Sequence, residues 1–302
     1  MKKFITGLII AGASLTAVAG EKVPGVWGFA VGSTQGTYFR AILEQANKEQ
    51  DKYDFYFENK PGAGGSIAGQ YVFNHKGTAI LASSAAFFVR PNLYPETVYS
   101  FDQFKPLMVI GYAPATLVSK NKSLAQLIKQ DRITIGTAGT GSSTHLMAET
   151  FAKDLKGKQV DMIHYKDTNL AFLAVMTGEI DATFEFLGDA KAKALPDTTL
   201  IGLTGKNKID NIEPLRNLGF RNMEGLSGVF AIFVPVSMPT DTAKDLQTIL
   251  LRAEKHPSVQ TLYKKDYTSK DAYMQQPGDL TEWYNSAIKQ YKDLTKDIKI
   301  KD

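Results

Sequence analysis

No cysteine occurs anywhere in the chain. That excludes a disulfide framework, a thiolate metal site, a cysteine nucleophile and a lipid-modified cysteine. Histidine is scarce: His75, His145, His164 and His256 stand far apart, and no His-Glu-x-x-His or similar ligand spacing occurs. A catalytic metal is therefore not expected, and nothing calls for a cofactor. Internal repeats and low-complexity linkers are missing too. Charge is nearly balanced, at +4 overall. Much of the lysine surplus sits in the tail, in "YKKDYTSKD" and "IKQYKDLTKDIKIKD", where it alternates with aspartate. That pattern is a solvated helix face and not a nucleic-acid patch.

Long apolar runs are also absent beyond the first twenty residues. The opening "MKKFITGLIIAGASLTAVAG" has Lys2 and Lys3, an apolar stretch, then Ala17-Val18-Ala19. These are the parts of a secretory signal peptide, residues 1–19, cut after Ala19. The stretch is too short and too rich in glycine for a membrane span. Its removal leaves 33 basic and 31 acidic residues, a net charge of +2. With no cysteine to lipidate, the expectation is a soluble protein released into a bacterial periplasm.

What is present in quantity is glycine beside helix starts. "ENKPGAGGSIAGQYV", Glu58 to Val72, carries four glycines just after an aromatic strand, three of them ahead of a helix. A phosphate loop would end in Lys-Ser/Thr, but Gly65 is followed by Ser66 and Ile67. A dinucleotide fingerprint would need a third glycine where Ile67 stands. The glycines are read as scaffold: a tight strand-to-helix turn needing positive φ and close backbone approach.

The rest of the chain alternates strand and helix, an α/β pattern. "TYFRAILEQANK" puts Tyr38, Phe39, Ile42, Leu43 and Ala46 on one helical stripe, and "THLMAETFAKDL" does the same with Leu146, Met147, Thr150 and Phe151. Strand, short Gly/Ser/Thr loop and helix start recur together at 29–38, 58–68 and 135–146. A helix N-terminus exposes unpaired N–H groups and carries about half a positive charge. Small residues let an anion reach them. Such starts in separate α/β units suggest two lobes gripping one small anion at the strand C-termini.

Several segments, taken in order, resemble the extracytoplasmic solute receptors of the tripartite tricarboxylate transporter family, the Bug-type receptors. They are "GFAVGSTQGTYFR", the glycine stretch, "SSAAFFVRPNLY", "IGTAGTGSSTHLMAETF", "IHYKDTNLAFLAVMTGEIDATFEFLGDA" and "GVFAIFVPVSMP", within about residues 24 to 290. The resemblance implies a two-lobed periplasmic binding protein, type II-like with two crossovers and a ligand cleft between the lobes. Lobe 1 would be residues 20–118 plus 235–302, and lobe 2 residues 119–234. The hinge would be "ATLVSK" and "AIFVPV". The implied function is capture of a small carboxylate, a di- or tricarboxylate or an aromatic acid, with no enzymatic step. The implied partners are the large and small membrane subunits of the transporter, and the receptor itself is expected to be a monomer.

Candidate ligand contacts follow from the loops. Gly32, Ser33, Thr34 and Gln35 flank the first helix start, where simple N-capping is the alternative. Ser83 and Ser84 close the third strand. Gly139, Thr140, Gly141, Ser142 and Ser143 offer backbone and hydroxyl donors, and His145 follows them. Asp167 and Thr168 form a further capping loop. Glu185 and Asp189 are acceptors for a hydroxyl, a protonated acid or a water. Phe29, Phe87, Tyr165 and Phe186, with Phe88 and Phe184, either line an aromatic pocket or belong to the core. Compared with the family, Gly36 stands where Asp is frequent, Asp167 replaces a glycine, and Phe186 a polar residue. The missing acid at 36 makes an amine ligand less expected.

Two other readings use the same residues. A secreted serine hydrolase would need Ser142 or Ser143 paired with His145 and a third orienting group, and no Gly-x-Ser-x-Gly elbow is present. A ligand sensor feeding a signalling kinase would share the fold. On the reading adopted, residues 1–19 direct export and are removed. Mass spectrometry of the exported protein should find Gly20 as the N-terminus; an intact Met1 chain held in the membrane would contradict it.

Overall fold

The structure is a computed structural model describing residues 20–94, 99–223, 226, 228–265, 267, 279–296 and 298. The expected leader, 1–19, lies outside the described residues. Two five-stranded sheets form the framework. The first comprises β1 (Glu21–Trp27), β2 (Tyr53–Asn59), β3 (Ile80–Ser84), β4 (Phe104–Ala113) and β10 (Gly228–Pro235), in the order β2-β1-β3-β10-β4. The second comprises β5 (Ala115–Lys120), β6 (Arg132–Thr137), β7 (Gln159–His164), β8 (Ala182–Phe186) and β9 (Thr198–Leu203), in the order β7-β6-β8-β5-β9. The two orders are the same pattern. Three parallel strands come first, then one antiparallel strand that enters from the other sheet, then a last edge strand.

The helices are α1 (Thr34–Glu49), α2 (Ser66–Asn74), α3 (Ala86–Leu93), α4 (Leu124–Leu127), α5 (Ser143–Asp154), α6 (Thr168–Thr177), α7 (Leu187–Lys193), α8 (Thr240–Glu254), α9 (Pro257–Lys265) and α10 (Leu280–Thr295). They cover both faces of the first sheet, so its inner strands are apolar on both sides. Along β10, Phe230, Ile232 and Val234 face the core under α1, α8 and α9. Val229, Ala231 and Phe233 face the core under α2, α3 and α10. That second core continues into the other lobe through Leu146, Met147 and Phe151 of α5.

The expected boundaries at 118/119 and 234/235 fall inside strands that each belong wholly to one sheet. β5 pairs with β8 and β9 from Ala115 onward, and β10 pairs with β3 and β4. The chain therefore changes sheets at Pro114 and again within 204–227, because a strand's ladder ties it to one sheet. The crossings lie side by side. Ala113 pairs with Gly228, the Thr204 N–H donates to the Ala115 carbonyl (2.8 Å), and the Ala115 N–H donates to Thr204 Oγ1 (3.0 Å).

The segment "AAFFVRPN" forms α3 despite containing Pro91. Proline removes the N–H that would bond four residues back. The carbonyl so released, that of Phe87, accepts the Tyr99 hydroxyl at 3.2 Å. Phe87 itself stacks on Phe233 at 4.0 Å and on Tyr99 at 5.2 Å, and Phe88 stacks on Tyr291 at 5.3 Å. Both are fully buried in the core. Phe87→Ala should cost about 3–5 kcal/mol of stability by urea unfolding, because the packed rings cannot collapse onto the hole. Ligand affinity per folded molecule should not change.

Candidate functional site

The first loop, between β1 and α1, is held from below. Asn59 Nδ2 donates to the carbonyls of Trp27 (3.0 Å) and Phe29 (2.8 Å), and Trp27 Nε1 donates to that of Ala30 (3.2 Å). Ser33 is the N-cap of α1: its hydroxyl accepts from the Gly36 N–H (3.2 Å) and donates to Ala30 O (2.9 Å). A β-carbon at Gly36 would lie 2.9 Å from Trp27 Nε1 and 3.1 Å from Ser33 Oγ. Any side chain at 36 would require Trp27 or Ser33 to shift. Gly32 is exposed, while Thr34 and Gln35 are buried at the helix start.

The glycine loop runs through positive φ four times, at Gly62 (128°), Ala63 (47°), Gly64 (59°) and Gly65 (89°). A β-carbon at Gly64 would lie 3.3 Å from Arg90 Cδ and 3.4 Å from the Thr140 carbonyl of the other lobe; one at Gly65 would lie 3.0 Å from the Phe29 ring. The glycines thus permit a close approach between loops.

In the second lobe Ser142 is the N-cap of α5, its Oγ accepting from the His145 N–H at 3.1 Å. Gly139 and Gly141 take positive φ on the way in. His145 turns inward: Nδ1 accepts from the Gly141 N–H (3.1 Å), and Nε2 lies 3.5 Å from Glu149. It braces the loop from beneath and does not present a donor to the cleft. Neither Ser142 nor Ser143 bonds that imidazole, so the Ser–His pairing a hydrolase needs is not formed at this loop. Asp167 caps α6 by accepting from the Leu170 N–H at 3.0 Å, with Thr168 as the first helical residue.

Side chains of the two lobes meet at these loops. Thr34 Oγ1 donates to Asp189 Oδ1 on α7. The Ser84 and Ser143 hydroxyls lie 3.4 Å apart, and Arg90 Nη1 donates to the Thr140 carbonyl at 2.9 Å. Farther out, Lys191 Nζ donates to the Tyr267 hydroxyl at 2.8 Å. Ser83 is buried beside Ser84 at the end of β3. Five predicted residues, Thr34, Ser84, Thr140, Ser143 and Asp189, thus come together across the lobes.

Others do not. Glu185 is fully buried and bonded within its own lobe, to Lys193 Nζ (2.8 Å) and the Phe186 N–H (3.0 Å). Burial pushes its carboxyl above the ordinary range, against the pull of Lys193. Phe87, Phe88 and Phe184 are core residues. Phe186 packs over the backbone of Gly228, where a β-carbon would come within 2.2 Å of its ring. Tyr165 gives its hydroxyl to Glu179 at 2.7 Å. Of the rings, Phe29 stays half-buried at the loops, leaning on Trp27 at 5.0 Å. The aromatic pocket is therefore replaced by aromatic packing, because strand and α3 rings fill the sheet–helix interior.

Three buried donors at the loops of lobe 1 have no partner: Gln35 Nε2, Ser66 Oγ and Arg90 Nε. Sequence reasoning missed Arg90 and Ser66 as candidates. The signal for Arg90 was its type, a fixed fork of donors suited to anions, within a segment of small and apolar residues. A shallow depression along α2, lined by Ile67, Tyr71 and His75, includes none of these donors. The polar groups of both lobes converge elsewhere, and there we place the site. Among the described residues no cluster of metal-ligating side chains occurs, and no helix is long and apolar enough to cross a membrane.

Two sheets of this order, joined by paired crossovers, define a two-lobed periplasmic binding protein. BugD, a periplasmic binding protein, superposes with a TM-score of 0.81 at 20% identity, over 91% of this chain and 97% of that one. MatC from Rhodopseudomonas palustris, solved with bound malate, gives 0.79 at 18% identity over 92% and 99%. A protein of the uncharacterised UPF0065 group from Bordetella pertussis is 26% identical over 67% of each chain. The model for the "Tripartite tricarboxylate transporter family receptor" matches residues 39–300, and the chain belongs to that family of solute-binding proteins.

His164 offers a readout of the loop's underside. Its Nδ1 lies 2.6 Å from Thr137 Oγ1, and its ring meets that of His145 edge-on at 4.9 Å, with Glu149 on the far side of His145. Although the residue keeps an exposed edge, partial desolvation first, then His145, lowers its pKa; Glu149 opposes them. Below about pH 6.5 the unfolded chain binds a proton that the folded chain resists, so this residue makes stability fall as pH drops. Urea midpoints measured between pH 7 and 5 should decline less steeply in His164→Gln than in the wild type.

Proposed function

We propose that the protein is a periplasmic receptor that binds a small carboxylate between its lobes and delivers it to the large and small membrane subunits of a tripartite tricarboxylate transporter. The observation that carries this reading is the convergence of the α1 and α5 starts, each capped by serine, on one inter-lobe seam. There Thr34, Ser84, Thr140 and Ser143 meet the opposite lobe, and Gln35 Nε2, Ser66 Oγ and Arg90 Nε remain buried without acceptors. Buried donors without partners are costly, and an anion at helix N-termini would satisfy them. Family membership supports the same reading. So does the malate bound in MatC, a neighbour of the same fold.

The receptor works as a monomer, and its lobes rotate about the paired crossovers at Pro114 and 204–227. No chemistry is done on the ligand. Ser142 and Ser143 act as donors and caps, since the imidazole of His145 is engaged by the loop backbone.

Calorimetry of the exported protein against mono-, di- and tricarboxylates should find a binder whose amide binds at least about tenfold more weakly, having lost the charge that helix starts favour. Thr34→Ala and Ser143→Ala, on opposite lobes, should each weaken it by about 1–2 kcal/mol, roughly five- to thirtyfold. Equal affinity for acid and amide would overturn the anion argument. Turnover of the ligand by wild type, lost in Ser142→Ala or Ser143→Ala, would establish an enzyme instead.

A further inference from the structure

We propose that Asp189 sets the ligand's far end: the cleft prefers a monocarboxylate carrying a hydroxyl or amino group over a dicarboxylate. The inference rests on the carboxylate-receptor reading above and narrows it.

Lobe 1 supplies donors. Gln35 is 5% exposed and its Nε2 has no acceptor; Ser66 Oγ and Arg90 Nε are likewise buried and unpartnered. These groups, with the start of α1, suit one carboxylate. Lobe 2 supplies an acceptor. Asp189, carried on α7, reaches across to the first turn of α1 and takes the proton of Thr34 Oγ1. Among the described residues no cation pairs with it. The lysines of α7 are committed elsewhere, Lys193 to Glu185 and Lys191 to Asp210 and Tyr267. Glu185 is fully buried and paired with Lys193, so Asp189 is the acceptor that lobe 2 offers here.

A ligand spanning from the first lobe's donors to Asp189 meets an acceptor there. A second carboxylate would face like charge with no neutralising cation. A methyl end would remove water from Asp189 and return no hydrogen bond. A hydroxyl or ammonium group would take over the role that Thr34 Oγ1 plays at Asp189 Oδ1. An acid at position 36 would crowd Trp27 and Ser33, and Asp189 meets the helix start from the opposite lobe. An amine, less expected from the sequence, becomes an acceptable ligand group.

The test is titration calorimetry of the exported protein with unbranched acids of three to six carbons. At each length the acid carries a hydroxyl or amino group, at its second or terminal carbon, or ends in a second carboxylate or a methyl. The tightest binder should be a hydroxy or amino acid, about tenfold tighter than both the dicarboxylate and the methyl-ended acid of its length. Asp189→Asn, shown to be folded by circular dichroism, should bring those ratios within about threefold by losing hydroxy and amino acids and gaining dicarboxylates. Thr34→Val should weaken every member by a similar factor and keep the ratios.

A dicarboxylate as the tightest wild-type ligand, or ratios unchanged in Asp189→Asn, would overturn the inference while leaving the carboxylate receptor intact. Ratios lost equally in both variants would also overturn it, assigning Asp189 to holding the lobes together. Failure of every acid to bind would overturn the receptor reading itself, and this inference with it.

Discussion

Everything at the cleft depends on two backbone crossings made side by side. Ala113 and Gly228 are the last and first residues of the first sheet at the crossings, and they pair with each other. Two residues past Ala113, Ala115 exchanges two hydrogen bonds with Thr204 and so extends the β5–β9 ladder of the second sheet up to the crossing. The Phe186 ring closes over Gly228 so tightly that no side chain fits there. Two adjacent strands resist shear and twist far more than one would. They nevertheless leave bending about a single line. At the seam between the lobes Thr34 meets Asp189 and Ser84 meets Ser143.

The framework was legible because it is written in local signals. Strand–loop–helix alternation and the Asp167 cap need only neighbouring residues, and capping by Ser33 was the alternative reading at the first helix start; Ser142, read as a ligand donor, also proves to be a cap. The site was less legible because burial is a property of the whole fold. Phe87, Phe88 and Phe184 look like pocket rings in sequence, yet each faces a sheet–helix interior. His145 sits at a helix start among hydroxyls, but its ring points beneath the loop, where the Gly141 N–H needs an acceptor. Arg90 gave the opposite error. Nothing local shows that α3 will carry it to the Thr140 carbonyl fifty positions away.

The charges divide by lobe. Donors without partners occur near the helix starts of lobe 1, and Asp189 of lobe 2 meets the first of those starts. A relative that carries an acid just inside the first helix would place donor and acceptor in the same lobe. Here Trp27 and Ser33 crowd that position, and Asp189 meets the helix start from the opposite lobe. Thr34 and Asp189 thus carry a lobe contact at the very seam where the ligand is proposed to bind.

The left-handed run from Gly62 to Gly65 has a bearing on survival outside the cell membrane. Pro61, Gly62 and Ala63 are exposed, and exposed loop tips of small residues are where nicking concentrates. Proteases hold their substrates as extended strands. Four successive residues on the positive side of φ would have to be turned over together before such an enzyme could seat this loop. The turn is wedged between the Phe29 ring, Arg90 and the Thr140 carbonyl. A glycine-rich surface loop, ordinarily the weakest point of a chain against digestion, is here shielded by its own screw sense.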